Sequence, residues 1–223
     1  MGGNGSSPLF SSCPLDSVYI GGDITYKTSS SYGYSPFYRN KTLRTVVITD
    51  KEDEISENEF YGCTNLQSFS IGDGVTKFGN WAFSGCSSLK SLSFGTQLKS
   101  IGKEAFSDCT AVTKIVSKAV IPPSCDTQAL DDINKWECTL YVPKDCISVY
   151  QAANQWKEFF FMEENNGIEK GDVNDDGVVD VADIATVIDV MAKGNNGKEA
   201  DVNKDGVVDV ADIATIIDRM AGK

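Results

Sequence analysis

Leu89-Lys90-Ser91-Leu92-Ser93-Phe94, followed by Ile101 and then by Ala105-Phe106-Ser107-Asp108-Cys109, decides the fold, because the same arrangement recurs along the chain. Phe60, Phe83 and Phe106 are 23 residues apart, as are Cys63, Cys86 and Cys109; Ile55, Phe78 and Ile101; and Leu43, Leu66, Leu89 and Val112. A fixed period of this length marks a repeat architecture and takes precedence over local readings. Each unit begins with apolar alternation of period two, Val46 and Ile48, Phe69 and Ile71, Leu92 and Phe94. That period predicts a short strand with one buried face. One such strand cannot bury its face alone, whereas stacked copies share a continuous core. The fold expected is a β-rich solenoid of about 23-residue repeats, with Ile101 and Phe106 closing the core from a looser return segment.

The pattern extends in both directions. Upstream, Leu15, Val18 and Ile20 match the strand, and Phe37 with Asn40 matches Phe-x-x-Cys with Asn in the Cys position. Leu15 and Leu43 are 28 residues apart, so this turn carries a five-residue insertion within 26–37. Phe10 and Cys13 read as the end of a still earlier turn, as if the chain were cut from a longer array. Downstream, residues 117–138 depart from the period, and an irregular final turn is expected there.

The Leu-x-x-apolar-x-apolar strand with Ala-Phe-x-x-Cys resembles the BspA-type leucine-rich repeats of bacterial surface and secreted proteins, over roughly residues 8–163. Thr139-Leu140-Tyr141-Val142-Pro143, with Tyr150 and Trp156, is similar to the last strand and helical cap of such arrays. The resemblance places Cys13, Cys63, Cys86 and Cys109 where a small side chain satisfies buried backbone groups. They are expected as buried thiols. A disulfide among Cys125, Cys138 and Cys146 stays open, since the repeat does not account for them.

A second duplication lies in the tail. Asp172, Asn174, Asp176, Gly177, Val178, Asp180 and Asp183 are echoed 29 residues later by Asp201, Asn203, Asp205, Gly206, Val207, Asp209 and Asp212. Oxygen-bearing side chains thus stand at loop positions 1, 3, 5, 9 and 12, with a glycine at 6 and a backbone carbonyl available from Val178 or Val207 at 7. This is the spacing with which a 12-residue loop wraps Ca²⁺, and oxygen donors suit a hard cation better than zinc or copper. Asp rather than Glu at position 12 is a departure from the EF-hand loop. Each loop runs into an amphipathic helix, with Ile184, Val187, Ile188 and Met191 repeated by Ile213, Ile216, Ile217 and Met220.

Loop then helix, twice, with Asp at position 12, resembles a type I dockerin over residues 171–223. The resemblance implies a small all-α module, two Ca²⁺ ions, folding that depends on them, and docking to a cohesin-like partner. It assigns partner recognition to Val181, Ala182, Ile188 and Asp189 in the first copy and to Val210, Ala211, Ile217 and Asp218 in the second. At these positions the hydroxyl residues in the loop and basic residues on the helix that are usual in that family are missing. A more apolar and differently charged partner is implied. Over their first 21 positions the copies differ only at Asp175/Lys204, Val187/Ile216 and Val190/Arg219, so either copy is expected to be able to face the partner.

Composition narrows the function classes. The 223 residues are 41% apolar and 23% charged, as in an ordinary folded protein. With a formal charge of −12, nucleic-acid backbones and anionic membranes are disfavoured as partners. Residues 1–170 hold 15 basic and 20 acidic residues and 171–223 hold 5 and 12, so the tail carries −7 of the total. The absence of histidine removes Ser-His-Asp, Cys-His and His-zinc chemistry. The acidic run Asp50, Glu52, Asp53, Glu54, Glu57 and Glu59 reads as a solvated edge rather than a catalytic pair. No catalytic residue is assigned and no enzyme is expected. No run of 18 apolar residues exists, so no membrane-spanning segment is expected, and the N-terminus lacks a signal-peptide pattern.

The outward strand positions, Ser17 and Tyr19, Thr45 and Val47, Ser68 and Ser70, Ser91 and Ser93, Lys114 and Val116, read equally as a solvated sheet face or as a ligand platform. Clustered tyrosines in the insertion, Tyr26, Tyr32, Tyr34 and Tyr38, form a candidate ligand-binding loop. The expected organisation is a repeat domain with its cap over 1–164, a linker over 165–170 and a dockerin over 171–223. The expected function is an extracellular or bacterial cell-surface interaction protein, its solenoid binding a macromolecular ligand and its dockerin attaching it to an assembly. A rival reading has the tail docking on its own repeat domain through Val181, Ala182, Val210 and Ala211. An enzyme, to which dockerins are commonly appended, is the least expected class.

Overall fold

The structure, a computed structural model, describes residues 8–20, 35–49, 53–165, 171–174, 179, 181–194 and 200–221. The period-two alternation produces parallel strands: β1 (Ser17–Ile20), β2 (Thr45–Ile48), β4 (Ser68–Ile71), β6 (Ser91–Phe94), β8 (Lys114–Ser117) and β10 (Thr139–Val142). β1-β2-β4 pair in order and β6-β8-β10 pair in order; β2–β4 and β6–β8 are offset by the 23-residue repeat, so that Val46 meets Phe69 and Leu92 meets Ile115. The return segments carry two-residue strands, β3 (Glu54–Ile55), β5 (Lys77–Phe78), β7 (Ser100–Ile101) and β9 (Ser124–Cys125), which form a separate parallel sheet.

A third ladder joins the turns without regular strands. The amides of Phe60, Phe83 and Phe106 donate to the carbonyls of Ala82, Ala105 and Ala129 at 2.8, 2.8 and 3.1 Å. Every turn bends through left-handed residues, at Asn58, Trp81 and Glu104 and again at Gly62, Gly85 and Asp108. These non-glycine positions cost energy, and the hydrogen-bonded stack on either side holds them there. Gly102 is required for another reason: a Cβ there would lie 2.7 Å from the Gly79 carbonyl carbon in the turn below.

Inside, the phenylalanines form a continuous stack. Ring centroids of Phe10–Phe37, Phe37–Phe60, Phe60–Phe83 and Phe83–Phe106 are 5.5, 5.3, 5.2 and 5.4 Å apart. Beside it runs a thiol ladder, Cys63, Cys86 and Cys109 donating to the carbonyls of Phe37, Phe60 and Phe83 at 3.2–3.3 Å. Asn40 does the same work one turn earlier, its side-chain amide donating to the Phe10 and Cys13 carbonyls. Burial pushes the Cys63 thiol up to about 12 and raises the Cys86 and Cys109 thiols well above the ordinary thiol range. All seven cysteines are free thiols, so Cys125, Cys138 and Cys146 form no disulfide.

Three expectations need correction. The final turn keeps the architecture: β9 pairs with β7, and Leu130 and Ile133 take the places of Phe106 and Cys109 after a one-residue insertion. The array does not end at the cap. After the helix α1 (Ile147–Ala152) and a 3₁₀ turn at Trp156–Glu158, strand β11 (Phe161–Glu164) pairs in register with β10. The outward face is not a solvated surface at its centre: Thr45, Val47, Ser68, Ser70, Ser91 and Ser93 are all buried. Their short side chains lie flush between strands spaced about 4.8 Å apart, and a helix from the tail lies against β2 and β4.

The tail has its own small core. Helices α2 (Val181–Ala192) and α3 (Val210–Met220) enclose Val173, Val187, Ala200, Val202 and Ile216.

Candidate functional site

The second loop is described in full. Gly206 turns the chain at φ +92°, the left-handed region that glycine reaches without strain. Asp201 accepts from the amides of Asp205 and Gly206 at 3.1 and 3.0 Å, Asn203 Oδ1 from that of Asp205 at 2.8 Å, and Asp205 from that of Val207 at 2.9 Å. The loop wraps around its own side-chain oxygens. Asp209 caps α3, accepting from the Ala211 amide at 2.7 Å, while Asp212 accepts from the Asp209 amide at 2.9 Å, a reciprocal capping box. The other Asp212 oxygen accepts from the Asn203 amide at 3.0 Å. Position 12, fully buried, thereby ties the start of the loop to the start of the helix.

The first loop repeats this anchor. Asp183 Oδ1 accepts from the amides of Val173 and Asn174 at 2.6 and 3.1 Å, and Asp172, Asn174 and Asp183 are buried. Asp176, Val178 and Asp180 lie outside the described residues. Among the described residues no group of three or more Asp, Glu or Cys side chains is drawn together closely enough to hold a metal ion. In the second loop the oxygens are engaged by backbone amides instead. A carboxylate oxygen carries two lone pairs, so an amide leaves room for a cation on the same atom. The donor set, oxygen throughout, fits Ca²⁺.

The expected recognition residues divide by copy. Val210, Ala211, Ile217 and Asp218 are all exposed, Val210 at 69% and Ile217 at 50%. In the first copy Val181 and Ile188 are exposed, but Ala182 is fully buried and Asp189 is half-buried. Asp189 accepts from the Tyr19 hydroxyl of the solenoid at 3.0 Å and pairs with Lys193 at 2.5 Å. Lys118, at the end of β8, donates to the Asn174 carbonyl in the first loop at 2.8 Å. A cleft of about 350 Å³ separates the two bodies, lined by Tyr19, Val47, Ser70, Lys118, Thr186 and Val190 among others. The tail thus touches its own repeat domain, through Asp189 of α2 and the Asn174 carbonyl of the first loop, while Val181, Val210 and Ala211 of the apolar set named above are exposed.

Of the candidate tyrosines, Tyr26, Tyr32 and Tyr34 lie outside the described residues. Tyr38 is buried and stacks on Tyr61 at 5.0 Å, which gives it a packing role. Sequence reasoning missed one exposed aromatic group: Trp136 and Phe160 stack at 4.7 Å and are 69% and 62% exposed. The signal was the Glu158-Phe159-Phe160-Phe161 run, in which Phe159 turns inward and its two neighbours do not.

The described residues thus form a repeat solenoid joined to a duplicated loop–helix module. Residues 30–125 match the family BspA type leucine rich repeat region in six copies, and residues 170–221 match the dockerin type I domain. The chain therefore carries a BspA-type leucine-rich-repeat region followed by a type I dockerin domain, both of non-catalytic kinds, and calcium binding is implied by the second. Among solved structures it is similar to a leucine rich cell surface protein from Faecalibacterium prausnitzii A2-165, at 21% identity and a TM-score of 0.31. That match covers 57% of this chain and 48% of the other, so the chain spans about half of that protein's length. No curated protein matches it. Among the described residues no helix is long and apolar enough to cross a membrane.

Proposed function

We propose that the chain is an extracellular or bacterial cell-surface interaction protein without catalytic activity. Its repeat domain, residues 1–164, holds a macromolecular ligand, and its dockerin, residues 171–223 after a linker at 165–170, attaches it to a cohesin-like domain. The observation that carries this reading is the duplicated anchor, Asp183 accepting from the Val173 and Asn174 amides and Asp212 from the Asn203 amide. Two Ca²⁺ ions would be held by Asp172, Asn174, Asp176, Val178, Asp180 and Asp183 and by Asp201, Asn203, Asp205, Val207, Asp209 and Asp212. The ions would supply charge neutralisation to loops that are otherwise crowded with carboxylates. Modules of about 50 residues bury little apolar surface and commonly depend on a metal to fold.

The second reading, a calcium-stabilised surface protein whose dockerin packs on its own repeats, is favoured by the Tyr19–Asp189 and Lys118–Asn174 hydrogen bonds. Binding of the full chain to a panel of recombinant cohesin domains, with calcium and with chelator, separates the two. Calcium-dependent binding to a cohesin supports docking. A chain that binds calcium but no cohesin supports the internal role.

A further inference from the structure

Two nearly identical copies would ordinarily offer a partner two equivalent faces. The structure makes them unequal. The helix α2 has three faces: Asp183 and Val187 point into the dockerin core, Val181 and Ile188 are exposed, and Thr186, Asp189 and Lys193 line the cleft against the solenoid, with Val190 at the edge, packed on the core and lining the cleft. Asp189 and Lys193, one turn apart, pair with each other while Asp189 takes the Tyr19 hydroxyl. The equivalents in α3 behave differently. Asp218 is exposed where Asp189 is half-buried, and Ala211 is exposed where Ala182 is fully buried.

The sequence carries the same asymmetry. Of three differences in 21 positions, one is Val190 in the copy that faces the solenoid against Arg219 in the copy that does not. An apolar side chain suits a cleft shared with Val47, and a guanidinium there would lose hydration. Arg219 instead lies with its Cδ 3.0 Å from the position a Cβ on Gly171 would take.

We propose that the repeat domain clasps the first dockerin copy through α2, so that the chain presents the second copy alone, Val210, Ala211, Ile217 and Asp218, to its partner. The inference rests on the docking reading above and deepens it. A standard interface removes about 800 Å² per partner from water, and a domain centred on Val181 and Ile188 would meet the solenoid beside Asp189. On the second copy Val207, Val210, Ile217 and Met220 are 44–69% exposed and Asp205 and Asp218 flank them. The partner that fits is a protein domain with an apolar patch and a basic rim.

Carboxylate footprinting of the full chain in calcium, by carbodiimide-coupled amine labelling and mass spectrometry, tests the clasp without a partner. Asp189 should label at least fivefold more slowly than Asp218. Tyr19→Phe, which leaves the dockerin core untouched, should narrow the gap; Val190→Arg, whose position packs on that core as well as lining the cleft, should bring the two rates within twofold with helix content retained; and Arg219→Val should leave the gap. Equal rates in the unmodified chain would overturn the proposal, as would a gap that Val190→Arg leaves intact. With a cohesin that binds, Ile217→Glu should weaken binding at least a hundredfold and Ile188→Glu less than threefold; equal losses would overturn it. If no cohesin in the panel binds, the docking reading fails, and the labelling rates still decide the clasp.

Discussion

Replacing Phe83 by Ala tests the solenoid at its centre. The ring is fully buried, stacks on Phe60 at 5.2 Å and on Phe106 at 5.4 Å, and meets Phe69 at 4.3 Å and Phe78 at 5.9 Å. Truncation of a buried Phe to Ala costs about 3–5 kcal/mol from transfer and cavity together. Each aromatic pair adds about 0.5–1.5 kcal/mol beyond area, so the loss here should reach the upper end, about 5 kcal/mol. For a body of this size, about 2–4 °C of melting temperature accompanies each kcal/mol, which predicts a drop of roughly 10–20 °C. Phe10 is half-buried and stacks on Phe37, so Phe10→Ala should cost about half as much or less. Urea unfolding and calorimetry in calcium measure both. A loss below about 2 kcal/mol for Phe83→Ala, or equal losses at the two positions, would refute the stacked-turn reasoning.

Gly102→Ala should destabilise the repeat domain by about 1–3 kcal/mol in the same urea assay, since the new Cβ meets Gly79 backbone rather than a movable side chain. The thiol ladder predicts a pH dependence. Burial raises the Cys63 thiol from 9.0 to about 12, so its contribution is complete below pH 9 and is lost as the pH rises towards 12. The stability advantage of the unmodified chain over Cys63→Ala should therefore shrink by about 1.4 kcal/mol per pH unit in that window; an advantage that does not change would contradict the buried-thiol account. Asp212→Asn keeps the side-chain size but removes a charge and one of two acceptor oxygens. It should weaken calcium binding at the second loop by about tenfold or more and lower the melting temperature of the dockerin, both read by calcium titration of the full chain.

The periodic parts of the fold were legible in the sequence because each turn repeats the same demand. Strands at Val46–Ile48, Phe69–Ile71 and Leu92–Phe94, the Phe stack and the Cys ladder all follow from a single 23-residue period. Asn40 was readable as a Cys substitute because both side chains donate to a buried carbonyl. The last turn was not, since Leu130 and Ile133 fill the same space without the Phe-x-x-Cys signature and one residue late. Strand β11 was hidden by its length and by Glu163 and Glu164, which read as loop. The left-handed positions escaped notice because Asn58, Trp81 and Glu104 occupy them rather than glycine. In the tail, ligand spacing announced the loops, but not that Asp183 and Asp212 also lock them to the helices. The contact with the solenoid involves polar Tyr19, Asp189 and Lys118, which no hydrophobic pattern singles out. Its single sequence trace is Val190 against Arg219.

Calorimetric titration of the full, calcium-stripped chain with Ca²⁺ tests the central claim most directly. Two equivalents per chain are predicted, falling to one in Asp201→Ala and to one in Asp172→Ala, with helix content rising as the loops fill. Fewer than two equivalents in the unmodified chain, or a stoichiometry that neither substitution alters, would contradict it.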